Sequence, residues 1–140
     1  LPVFLVLFSF SLLHAETLPH TDDFESYSAD GYSLDAGNRN ELKLKKNDIS
    51  YKIYDFGSDN ANISVNVTFE LDTYGGGDES SDYFETTFNY GATNSITIVD
   101  TDDYTVKYPT TTDADGKLKV SFKVNTSDNS VYAQLAYVTI

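Results

Sequence analysis

Cysteine, methionine and tryptophan are all absent from the 140 residues, and histidine occurs twice. Without cysteine there is no disulfide framework, so a secreted chain of this composition holds its fold by its core or by bound metal. The same absence removes thiol nucleophiles. His14 and His20 alone supply neither a histidine-rich zinc site nor a well-placed general base. Lysine and arginine number 9 against 22 aspartates and glutamates, a net charge of −13. Nucleic acid is excluded on that balance, because phosphate binding needs clustered basic side chains. An acidic surface instead attracts divalent cations.

The first residues, "LPVFLVLFSFSLLHAET", are an uncharged apolar run ending in Leu13-His14-Ala15, a small-residue cleavage pattern before Glu16. The run falls short of the ~20 apolar residues that span a bilayer as a helix. It reads as a secretory signal peptide, residues 1–15, truncated at its start. The expected mature chain is one domain, residues 16–140, secreted to the extracellular space or the periplasm, with no membrane insertion. A domain of that size buries roughly two-thirds of its unfolded surface and needs no covalent staple.

No stretch has a helical period of useful length, whereas period-two alternation recurs throughout. In "NISVNVTFEL" the apolar set is Ile63, Val65, Val67, Phe69 and Leu71; in "KLKVSFKVN" it is Leu118, Val120, Phe122 and Val124. "DISYKIYDF" offers Ile49, Tyr51 and Ile53, "YFETTFNY" offers Phe84, Phe88 and Tyr90, and the last run offers Ala136, Val138 and Ile140. Turn signals separate the runs at Gly57–Asn60, Gly75–Gly77, Asn89–Gly91 and Asp113–Gly116. Short one-faced strands, eight or nine of them, imply an all-β fold: two antiparallel sheets packed face to face, a sandwich of jelly-roll type.

Glycoside hydrolysis needs two carboxyl groups across an aromatic-walled cleft. Glu70 and Glu85 are the strand glutamates that could serve, but Glu70 falls on the polar side of its strand and no tryptophan is present to wall a cleft. A non-catalytic chain is expected. Calcium takes six to eight oxygens from loops able to bend around it. Of four acidic clusters, Asp22 to Glu25 and Asp72 to Asp82 are the better placed, since strands can fix their direction. Asp113-Ala-Asp-Gly116 reads as a hairpin turn, lacking the glutamate that would close a calcium loop. Tyrosine can stack on a sugar's C–H face and bond through its hydroxyl. Tyr74 and Tyr83 bracket "GGGDESSD", and with Asp78 and Glu79 in the middle of that loop they form the candidate ligand set.

Two longer stretches, "DFGSDNANISVNVTFELDTYGGGDESSDYFETTFNYG" and "TTDADGKLKVSFKVNTSDNSVYAQLAYVTI", resemble the carbohydrate-binding-module-like jelly-roll domains of secreted bacterial proteins. Such domains occur in calcium-dependent adhesins and beside extracellular glycan-acting enzymes. The resemblance lies in a strand ending Phe-x-Leu-Asp, a Gly- and acid-rich loop, an Asp-Tyr-Phe start to the next strand and a closing Val-x-Ile. It implies a secreted binding module whose partner is an extracellular glycan or cell-surface polymer, with Ca2+ held structurally by Asp72, Asp82, Asp23 and Glu25. The chain departs from the family where Ala136-Tyr137 stand in place of an aspartate before the final Val-x-Ile. The alternatives are a structural or adhesion sandwich with no small ligand, and a fragment of an extracellular glycan-cleaving enzyme.

Overall fold

A computed structural model describes residues 15–24, 32, 41–75, 82–89, 91–98 and 102–140. Among the described residues nine strands are formed: β1 (Thr21–Asp22), β2 (Leu42–Leu44), β3 (Ile49–Asp55), β4 (Ser64–Tyr74), β5 (Tyr83–Phe88), β6 (Thr93–Thr97), β7 (Asp102–Thr111), β8 (Lys117–Asn125) and β9 (Tyr132–Thr139). Among the described residues the one helical element is a three-residue 3-10 turn, Ser58–Asn60. One sheet has the order β9-β4-β7, with β1 and β2 lying in turn along the free edge of β9; the other has the order β3-β8-β5-β6. All the pairings are antiparallel. With β2 beside β9 in one sheet and β3 beside β8 in the other, successive strands wind between two sheets as a jelly roll does. The expected fold class is therefore present.

The alternation explains the core. Val67, Phe69 and Leu71 of β4 face Leu118, Val120, Phe122 and Val124 of β8 across the sandwich, all fully buried. Phe69, Phe84 and Phe122 form its aromatic centre, with ring centroids 5.2 to 5.9 Å apart. Those separations and tilts are the ones aromatic rings prefer.

Two strands depart from the pattern the sequence suggests. In β3 the apolar residues point outward: Ile49 and Ile53 are 54% exposed and Tyr51 43%, while Ser50, Lys52 and Tyr54 turn in. The reason is a polar anchor. Asp22 projects inward from β1, and Lys52 Nζ donates to both its oxygens at 2.9 Å while Tyr54 Oη donates at 2.5 Å. His20 Nε2 lies 3.0 Å from the same carboxylate, and Glu16 lies 3.2 Å from Lys52. A carboxylate and an ammonium this deeply buried must face each other, and a one-residue slip would separate them. In β9, Ala136 is an extra residue: Glu70 pairs with Tyr137, yet Leu71 pairs with Leu135. The bulge shifts the inward phase, so Ala133 and Leu135 are buried before it and Val138 after it, while Ala136 stays half-buried.

The turn at Asp113–Gly116 is tight, as expected, but it joins strands of different sheets rather than the two arms of a hairpin. Asp113 Oδ1 accepts from the backbone N–H of Asp115 and of Lys117. Gly116 has φ +77°, and a Cβ there would sit 1.9 Å from the Gly57 carbonyl oxygen, so only glycine fits.

Candidate functional site

The Gly75–Asp82 connection also crosses between sheets, from β4 to β5. Outward therefore means opposite directions at its two ends. Tyr74 lies on the outer face of the five-stranded sheet. Tyr83 lies on the outer face of the four-stranded sheet, paired with Thr97 and Asn125. The strands therefore turn the expected Tyr74–Tyr83 pair to opposite sides of the sandwich rather than bringing the two rings together. Asp78, Glu79 and Glu25 lie outside the described residues. Glu70 and Glu85 are parted in the same way, and Glu85 pairs with Lys123 at 3.6 Å.

The two root aspartates part as well. Asp82 is 2% exposed and accepts a 2.5 Å hydrogen bond from the Thr126 hydroxyl, while its backbone oxygen accepts from Ile98 N–H. Thr126 in turn accepts from Asp128 N–H. Asp82 thus fastens the start of β5 to the end of β8. Asp72 points outward from β4, and Asp23 is exposed just past β1. Among the described residues no three Asp, Glu or His side chains are gathered so as to hold a metal ion.

What Asp72 and Tyr74 do share is a polar aromatic surface on the five-stranded sheet. Tyr74 and Tyr132 are cross-strand partners, their rings stacked with centroids 4.6 Å apart and planes 10° apart. Lys43 Nζ sits 3.8 Å from the Tyr132 ring centroid, a cation–π contact. One row along, Asp72 stands between Gln134 of β9 and Asp103 of β7. Gln134 Nε2 donates to Glu41 at 2.5 Å. Tyr137, beyond the bulge, is the partner of Glu70.

The electrostatics follow from crowding of like charge. Burial, then Asp103, Glu41 and Glu70, push the Asp72 carboxyl up to about 6, and Asp72 and Asp103 share a hydrogen bond that favours the protonated form. Burial, followed by Asp72 and Glu41, raises the Tyr74 phenol as well, so it remains a hydrogen-bond donor. Below neutral pH the row can therefore donate as well as accept. Tyr132, Gln134, Lys43 and Asp103 were missing from the sequence-based set. All are outward positions of alternating strands, yet only the cross-strand register brings them to Tyr74.

No family model matches the chain, and no curated protein matches it. Among solved structures the chain is similar to a ruminal GH26 endo-beta-1,4-mannanase, with a TM-score of 0.50 and 16% identity over 90% of this chain. The chain spans about a quarter of that structure, 26% of its length. At that identity the likeness concerns the fold, and it agrees with the two-sheet sandwich.

Proposed function

We propose that the protein is a secreted, non-catalytic carbohydrate-binding module whose ligand surface is the outer face of the five-stranded sheet. The observation that carries this reading is the Tyr74–Tyr132 stack, fixed by Lys43 and bordered by Asp72, Gln134 and Glu41. A sugar needs an aromatic surface for its C–H face and polar groups for its hydroxyls. Here both occur on rigid strands, within two rows of one sheet. The Tyr74 ring, backed by Tyr132, supplies the first; the carboxylates and the amide supply the second. The uncharged, apolar run at residues 1–13 supports the secreted part of this reading.

A neutral β-1,4-linked mannan is the first probe, chosen because a sandwich of similar fold occurs in a protein described as a β-1,4-mannanase. Electrophoresis of the full chain through gels containing mannan, and a panel of other neutral polysaccharides, tests the reading. Retardation by at least one of them is expected. Tyr132→Ala should weaken it about tenfold, the loss of roughly one stacked ring. Free migration in every gel would sink the proposal.

A further inference from the structure

The outer face of the four-stranded sheet carries opposite chemistry, and the reading above leaves it unused. We propose that it is a second binding surface, one that takes an acidic, carboxylated polysaccharide. A hollow of about 360 Å3 crosses all four strands of this sheet. Ile49 comes from β3, Lys119, Ser121 and Lys123 from β8, Thr87 from β5 and Thr93 from β6. Its size lies within the ~300–1,000 Å3 of small-ligand sites.

Three features select the ligand class. First, β8 turns Lys117, Lys119 and Lys123 to this one face, a third of the chain's 9 basic residues. Lys117 and Lys123 reach Asp55 and Glu85 only at 3.8 and 3.6 Å, in half-exposed pairs that water screens. A ligand carboxylate can exchange into such pairs. Second, hydroxyl groups floor the hollow, with Thr87 and Thr93 bonded to each other at 3.0 Å. Third, an apolar border is held open to solvent. Tyr51 lies between Ile49 and Ile53, with Lys119 Nζ 4.6 Å from its ring centroid. Sugar acids combine the matching parts: carboxylates for the lysines, hydroxyls for the threonines and serine, ring C–H groups for the apolar border. An apolar protein segment would meet the isoleucines and leave the hydroxyl floor unmatched.

The net charge of −13 makes the test discriminating, because a polyanion repels this chain unless a local cationic surface overcomes the whole-molecule field. The experiment is electrophoresis of the full chain through gels containing polygalacturonate, at low and high salt. Retardation at low salt that fades at high salt is expected. The double variant Lys119→Ala/Lys123→Ala should lose about tenfold in affinity, as befits two charge-assisted contacts. Two variants should bind as the unaltered chain does: Tyr132→Ala, which removes the neutral-sugar surface, and Lys107→Ala, which removes a lysine of the opposite face. Free migration at low salt overturns the proposal. So does undiminished binding by the double variant, which would place the polyanion somewhere other than this lysine-lined hollow. An equal loss in Lys107→Ala would mean diffuse attraction and also overturns it. Because the mannan experiment reads the other face, either proposal can fail without the other.

Discussion

On the five-stranded sheet Glu41, Glu70, Asp72 and Asp103 surround a stacked tyrosine pair, whereas the four-stranded sheet turns Lys117, Lys119 and Lys123 outward beside Ile49, Tyr51 and Ile53. The same two-residue alternation builds both faces. Their difference shows that a net charge of −13 describes neither of them. Acid collects on one side at a cost in carboxyl repulsion, visible in the raised Asp72. Lysine collects on the other, beside apolar groups that the core does not use. Neither arrangement is needed to bury the core, and that is the physical reason to look for ligands there.

The largest expected effect comes from uncoupling the two sheets. Asp22 belongs to the five-stranded sheet and its partners Lys52 and Tyr54 to the four-stranded one. Asp22→Ala strips the buried Lys52 ammonium of its two-oxygen partner and leaves it Glu16 alone at 3.2 Å, which should cost about 3 kcal/mol in urea unfolding and weaken both faces together. Retention of one face with loss of the other would show that the sheets do not depend on this link. Next in size is Thr126→Val, which strips the buried Asp82 of its hydroxyl donor. About 2 kcal/mol is expected, with the disturbance confined to the four-stranded sheet that Asp82 and Thr126 join. Amide exchange that quickens equally in β4 and β9 would contradict it.

Asp72→Asn is a smaller change, and its sign is opposite. The folded-state carboxyl sits at about 6, above the ordinary 3.8, so ionising it opposes folding. Stability from this group is therefore full below pH 4 and falls as pH rises through 6. At pH 7.5 the asparagine variant should melt roughly 3–5 °C higher, the shift from about 1 kcal/mol after screening by water is allowed for. At pH 3.5 the two chains should melt alike, and a gain there would exclude the carboxyl as its source. Smallest of all is Ile53→Thr on the exposed border of the basic face. It should change stability by no more than ~0.5 kcal/mol, because the side chain leaves little area to water's advantage on folding. A loss above 2 kcal/mol would mean that Ile53 belongs to the core after all.

Strands whose two sides differ cleanly were legible in the sequence. Val67, Phe69 and Leu71 fall inward as read, and so do Leu118, Val120, Phe122 and Val124. The reading of β3 failed because its direction is decided by Asp22, 30 residues upstream of Lys52. No local period reports that a distant carboxylate needs a lysine inside. The candidate site was half legible. Asp72 and Tyr74 were singled out, but Tyr83 and Asp82 were joined to them through sequence proximity across a loop that changes sheets. Tyr132 and Gln134, about 60 residues away along the chain, stand beside them in space because β9 pairs with β4, as the strand register shows.

The extra residue in β9 gives that strand two independent reading frames. Its first half presents Tyr132 and Gln134 while burying Ala133 and Leu135. Its second half, restarted one residue later, buries Val138 and keeps Thr139 beside Thr21 of the N-terminal strand. Ala136 works as a spacer between a ligand-facing segment and a segment committed to closing the sandwich. Changes in length or composition on one side of that spacer need not propagate to the other, so recognition can diversify at residues 132–135 while the chain's closing strand keeps its place.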